Sequence, residues 1–506
     1  MPSSDDRRRF LTQGAALTAG LFAGHASSRT SDAGQDAAAG THAEHAGEAS
    51  EFPRMHPGLG GEIGSPSDRG RLTPGLRSVD EPPAPVTLPD MQKLPWKMVN
   101  GVKEFHLRAT PARRELLPGI WMDAYGYNDL FPGPCIEVNQ GDRIRIVLKN
   151  ELPEATTLHC HGLELPVSMD GIPGVTQDYV KPGESFPYEF TLHQEGTYFY
   201  HPHVAMQEAV GMAGALIIHP KKTHSPVVDR DFVMLAQQFS ILPNATIPNS
   251  NAMDWNFLTF NGRSGPYTTP LVCRLGERVR LRFINFSTLH QHPMHLHGHT
   301  FWVTGTEGGR IPDSSWIPGN TVVVGVAQCR DVEFIANNPG DWVMHCHMFH
   351  HMMNHMVSQV GPIIRDPDDS GFRVPGYPQI MKGMSNMKMV GMDHGKGKYG
   401  TTKQEAGKPG DQMHHLDAAS KQTSYEGFRT GRDSKLADDY QMTMTMQEMN
   451  KIKQRRETAG MRKDWFKGVH GLFTVVRVLP PDLYDLVMNT DQPVPDNSST
   501  PLHPHG

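Results

Sequence analysis
From about Lys93 onward, apolar and polar positions alternate in short runs bounded by Pro, Gly, Asn and Asp, a period of two that predicts strands rather than helices. The clearest runs are Cys135-Ile-Glu-Val138, Arg143-Ile-Arg-Ile-Val-Leu148, Tyr188-Glu-Phe-Thr-Leu192 and Tyr198-Phe-Tyr200. The order of segments then recurs. Gly141-Asp-Arg-Ile-Arg-Ile-Val-Leu-Lys-Asn150 has a partner in Gly276-Glu-Arg-Val-Arg-Leu-Arg-Phe-Ile-Asn285, and Glu195-Gly-Thr-Tyr-Phe-Tyr-His-Pro-His203 has one in Pro339-Gly-Asp-Trp-Val-Met-His-Cys-His347. A repeat of about 140 residues built from short strands predicts an all-β chain with two similar β-sandwich domains.

The repeat sets the expected boundaries: residues 93–222 for the first domain and 223–365 for the second. Residues 29–92, rich in Gly, Ala, Ser, Pro and His without periodicity, read as a flexible linker. The best candidate for the last strand of the second domain, Gly471-Leu-Phe-Thr-Val-Val-Arg-Val478, comes late. Residues 366–465 therefore read as an insertion ahead of it, rich in Met and His, followed by the final strand and an extension over 466–490 and a disordered tail over 491–506. The insertion carries Met381, Met384, Met387, Met389 and Met392, then Met413-His-His415, Met442-Thr-Met-Thr-Met446 and Met449.

Composition narrows the partners. A formal net charge of −6 gives no reason to expect nucleic acid. No run approaches the roughly 20 apolar residues of a membrane-spanning helix. At the N-terminus, Arg7-Arg8-x-Phe10-Leu11 precedes a short apolar run and small residues near Ala26, so residues 1–28 resemble a twin-arginine export signal and predict a periplasmic protein. The unusual counts are 28 His and 28 Met. Five cysteines are scattered, and the sequence assigns no disulfide among Cys135, Cys160, Cys273 and Cys329.

The histidines fall into four clusters: His159-Cys-His161, His201-Pro-His203, His292-Pro-Met-His295-Leu-His297 and His345-Cys-His347. On a strand, residues i and i+2 share a face, so each H-x-H pair presents two imidazoles to one point. Four such pairs supply eight nitrogen ligands, enough for a cluster of copper ions with room for an exogenous oxygen ligand. At His345-Cys346-His347 the sulfur points away from the imidazoles. On its side follow His351 and Met356, at +5 and +10, and His292 is available from the preceding cluster. Two imidazoles, a thiolate and a weak axial thioether make a blue-copper electron-transfer site. Cys160 has no such followers and reads as a packed small side chain.

With these motifs in order, the stretch from about Pro95 to Val360 resembles the multicopper oxidases, the family of laccases, ascorbate oxidase and cuprous oxidases. The resemblance implies cupredoxin-like Greek-key sandwiches and, per active unit, one type 1, one type 2 and two type 3 coppers. The type 1 ion would be held by His292, Cys346, His351 and axial Met356. The type 2 ion would take His159 and His295, and the type 3 pair His161, His201, His203, His297, His345 and His347. Asp170, in Leu163-Glu-Leu-Pro-Val-Ser-Met-Asp170-Gly, stands where the family has an aspartate that supplies protons for oxygen reduction. The implied partners are O2 and a small reductant: Cu(I), a phenol or another metal ion.

Departures matter too. The acid that follows the second type 1 histidine in some members is Met352 here. Only about ninety residues separate His203 from His292, leaving no room for the third domain of ordinary laccases. The small two-domain members build the trinuclear site between neighbouring subunits of a trimer, so a homotrimer is expected. The methionines of the insertion are soft ligands suited to Cu(I). A copper nitrite reductase-like enzyme and a non-enzymatic copper-sequestering protein are the alternatives. The first would not need six histidines at type 3 positions, and the second would not need a cysteine between two cluster histidines.

Overall fold
The computed structural model describes residues 71–204, 206–241, 246–250, 255, 257–348, 351, 446–462, 465–467 and 471–491. Four sheets pack in pairs around two cores. In the first sandwich, one sheet holds Trp96–Val99, Val102–Leu117, Ile120–Tyr127, Arg143–Asn150 and Ser185–Thr191, and the other holds Gly133–Asn139, Gly214–His219, Gly196–His201 and His159–His161. The period-two pattern explains the packing: Ile144, Ile146 and Leu148 are fully buried against Phe105, Tyr188 and Leu216, while the intervening Arg143, Arg145 and Lys149 face outward.

The internal repeat is visible in strand pairing. Arg143–Asn150 runs parallel to Val102–Leu117 and antiparallel to Ser185–Thr191. Its counterpart Arg278–Asn285 runs parallel to Arg230–Phe239 and antiparallel to Cys329–Ile335. The second sandwich is closed by the sheet of Leu271–Arg274, Phe473–Leu479, Gly340–Cys346, His292–Leu296 and Thr321–Val324. Phe473–Leu479 sits between Leu271–Arg274 and Gly340–Cys346, so this edge of the core is completed by sequence from beyond residue 470.

The repeats differ where the sandwiches meet. Arg278 is buried, unlike its counterpart Arg143, and Arg282, also buried, stands where the first repeat has Val147. Arg282 donates to Asp231 (2.8 and 2.9 Å) and to Thr197 Oγ1 (2.7 Å), and Thr197 donates to Asp331 (2.6 Å), which joins the second sandwich to the strand that ends at His201. Arg278 and Arg280 donate to Glu333. Charges so enclosed must be paired, and removing one partner costs about 3–5 kcal/mol.

The segment expected to be a linker is packed from Arg71 on. Val86–Thr87 forms a parallel strand with Asp231 and Phe232, and the Leu76 and Arg77 N–H groups donate to Asp229. Within the expected insertion, the helix Met446–Lys453 leads into Ile452 and Phe466, which pack with Leu116, Met122, Phe239 and Phe257. Composition hid both because each is held by contacts remote in sequence. The methionines Met381 to Met444 lie outside the described residues, as do the signal-like segment and the tail from residue 492.

Glu137 clasps the packed part of the leading segment. It accepts from the Val86 N–H (2.9 Å), pairs with Lys93 and bonds His219 (2.7 Å). Burial alone would raise its pKa, but these partners hold it at about 2, below the ordinary 4.5. Its contribution is therefore present above pH 4.5 and lost as pH falls from there toward 2. The urea midpoint should fall across that window, and Glu137→Gln should flatten part of the fall.

Candidate metal centre
Two histidine quartets form on two different sheets. In the first sandwich, His159 is the cross-strand partner of His201, with Cys160 opposite Tyr200. The rings of His159 lie 5.6 Å from His161, 5.3 Å from His201 and 5.9 Å from His203. In the second, His295 is the cross-strand partner of His345, and its ring lies 4.6 Å from His297, 5.6 Å from His345 and 5.4 Å from His347. Ligand nitrogens of His159, His161 and His201 lie within 4.8 Å of one another, as do those of His295, His297 and His345. His203 and His347 join their quartets by ring proximity. The two quartets form separate groups in the single chain.

Local hydrogen bonds orient the rings. His159 Nδ1 donates to the Asp170 carbonyl (2.7 Å), with the Asp170 carboxylate 3.4 Å away. His201 Nδ1 faces the Pro202 carbonyl (2.8 Å) and Glu208 Oε1 (3.1 Å). His295 Nδ1 faces the Asn320 carbonyl (2.7 Å), and His345 Nδ1 the Cys346 carbonyl (2.9 Å). With Nδ1 committed, Nε2 is left for a metal. Burial, reinforced by neighbouring imidazoles, lowers His161 and His345 to about 4, so both are neutral ligands at neutral pH. Phe199, stacked on His161 at 4.4 Å, and Glu208 were not found by motif reading; only their closeness to His201 in sequence hinted at them.

On the opposite face of the strand Gly340–Cys346, the sulfur enters the core. Cys346 Sγ lies 3.3 Å from His351 Nδ1 and 3.7 Å from His292 Nδ1, and the two nitrogens are 3.0 Å apart. All three residues are at most 1% exposed. Burial pushes the thiol up to about 12, against a bond from the Met348 backbone; a coordinated cation would deprotonate it outright. Two imidazole nitrogens and a sulfur converging in a dry site fit a blue-copper ion. Met356 lies outside the described residues. Cys160, buried in the first core, meets no such nitrogens, and all five cysteines are free thiols.

The sequence reading missed Ser287. Its hydroxyl lies 2.6 Å from His292 Nε2, which leaves Nδ1 aimed at the sulfur. Ser287→Ala should weaken copper retention at this site by about 10–100-fold, the usual cost of losing an outer partner of a ligand. Competition with a chelator, followed by blue absorption, measures it.

Family models described as multicopper oxidase match residues 111–223 and 238–362. The chain is 25% identical over 317 residues to a copper resistance protein A homolog of Pseudomonas syringae pv. tomato, covering 53% of this chain and 52% of that protein. It is 46% identical over 104 residues to laccase-1 of Cryptococcus neoformans var. neoformans, covering 20% of this chain and 17% of that one. The chain thus spans about half the length of these curated relatives, or less. Among solved structures, the multicopper oxidase mgLAC is 30% identical, with 49% of this chain and 80% of that chain covered and a TM-score of 0.45.

Proposed function
The chain belongs to the multicopper oxidase family, and from that premise we propose that it takes single electrons from a small reductant and uses four of them, with four protons, to reduce O2 to two waters. Copper supplies the redox chemistry when bound: a type 1 ion at His292, Cys346, His351 and Met356, a type 2 ion at His159 and His295, and a type 3 pair at His161, His201, His203, His297, His345 and His347. The observation that carries the reading is the opposed arrangement around Cys346. Its sulfur meets two imidazole nitrogens on one face of the strand, while the flanking His345 and His347 join the histidine quartet on the other.

The residues divide the work. Ser287 holds His292 in the tautomer that ligates through Nδ1. The backbone from Cys346 to its two neighbours links the electron-accepting site to the quartet without a through-space gap. Asp170 fixes His159 and offers a carboxylate beside the first quartet, placed to pass protons to reduced oxygen.

Because each sandwich carries one quartet, the active unit is assigned to the first domain, 93–222, of one copy and the second domain, 223–365, of the next, closing as a homotrimer. Exposed apolar side chains, Val167 and Val175 in the first domain and Val323 in the second, support such a contact. The export-signal resemblance of residues 1–28 supports a periplasmic location. The Met-rich insertion points to Cu(I) as the physiological reductant.

The test is oxygen uptake by the copper-loaded chain with Cu(I) and, separately, with a phenol, before and after deletion of residues 381–440, which spares the helix Met446–Lys453. Loss confined to Cu(I) is the expected result. An equal fall with both donors would remove the insertion's role, and absence of uptake with either would leave a copper-sequestering protein.

A further inference from the structure
Cys346, His292 and His351 are all buried, so a donor in solution touches none of them. Among the described residues, two further rings pack against that of His351. Trp255 stands 5.7 Å from the His351 ring and His290 5.2 Å from it, with the two rings themselves 3.5 Å apart. His290 is held in place by Asn285 Nδ2, which donates to the His290 carbonyl and to the Val324 carbonyl. Trp255 is different: among the described residues its buried Nε1 has no hydrogen-bond partner, and the indole packs with the second core.

The recess beside Trp255 is lined by Gln238, Ser240, Asn249 and Thr288 and has a volume of about 20 Å³. That is room for a water molecule, whereas a cavity known to admit benzene is on the order of 150 Å³. Among the described residues, the recess on this side of Trp255 is therefore too small for an aromatic reductant. A compact donor that passes an electron without seating in a pocket is under no such constraint.

We infer that Trp255, backed by His290, is the specificity-determining residue of this chain, screening His351 so that metal ions and other outer-sphere donors are oxidised in preference to phenols. The inference rests on the oxidase reading above. Each phenol would give up one electron and its hydroxyl proton to become a phenoxyl radical, and each hexacyanoferrate(II) one electron to become hexacyanoferrate(III). In either case four equivalents, with four protons in all, convert O2 to two waters. Trp255→Ala breaks no hydrogen bond of the indole and opens space against His351.

The experiment compares kcat/KM for 2,6-dimethoxyphenol and for hexacyanoferrate(II) in the copper-loaded full chain, its Trp255→Ala variant and its Trp255→Phe variant. Expected is a rise of at least about ten-fold for the phenol in Trp255→Ala, the lower end of what fit in a pocket supplies. The hexacyanoferrate(II) value should stay within about two-fold, well inside that steric effect, and Trp255→Phe should stay close to the parent. If Trp255→Ala loses its blue absorption, Trp255→Leu gives the same comparison with more of the packing kept. Phenol turnover that is unchanged, or that falls in step with hexacyanoferrate(II), would overturn the screening role. A parent chain inactive toward both donors would instead sink the oxidase reading.

Discussion

Cys346→Ser should abolish the blue absorption and lower oxygen consumption by a factor on the order of 10³ or more, the scale of removing a group that acts in the reaction itself. Serine nearly matches the shape of cysteine, so the strand Gly340–Cys346, buried over its last three residues, should keep its place. What is lost is the soft sulfur between His292 Nδ1 and His351 Nδ1, and with it the ligand that distinguishes a blue-copper site. The matching change at the other His-Cys-His sequence separates the two cysteines. Cys160→Ser should leave the blue absorption intact and cost stability, about 1–3 kcal/mol if the new hydroxyl finds no partner in the first core. Visible spectra, copper content and urea unfolding of the two variants decide it. A blue Cys346→Ser protein would remove Cys346 from the metal site.

The second large effect comes from the separation of the quartets. His159→Ala/His161→Ala and His295→Ala/His297→Ala should each be inactive, since each removes two of the eight histidines and so disables one quartet. Co-expressed in equal amounts, they should recover about a quarter of the parent activity. In a ring of heterologous contacts, one site in four then pairs an intact first domain with an intact second domain of its neighbour. A cluster closed within one chain would recover nothing, because no single chain carries both intact halves. Oxygen uptake by the mixed assembly, with its mass in solution, gives the answer.

Some of this was legible in the sequence because the relevant geometry is local. Strand alternation places residues i and i+2 on one face wherever the strand lies, so the pairing of His159 with His161 and of His345 with His347 followed from spacing, as did the opposite direction of Cys346. The paired segments Gly141-Asp-Arg-Ile-Arg145 and Gly276-Glu-Arg-Val-Arg280 likewise pointed to two sandwiches before any contact was known. By contrast, Ser287 and Trp255 carry no motif. Ser287 matters because its hydroxyl meets His292 Nε2, and Trp255 because its ring packs against that of His351, 96 positions further along the chain.

Composition misjudged the segments flanking the repeat. Residues from Arg71 to Gln92 lack periodicity, yet they are bound by single long-range contacts to Asp229, Asp231 and Glu137 that no local pattern encodes. The same holds for Ile452 and Phe466, which pack with Leu116, Met122 and Phe239, on strands more than two hundred residues earlier. The sequence by itself determined the fold class, the two-fold repeat and the faces on which the candidate ligand side chains lie, because these depend on backbone periodicity. Only the tertiary structure decided which side chains orient those histidines, which rings pack against His351, and how the buried arginines of the second sandwich are neutralised, because those depend on which distant residues packing brings together.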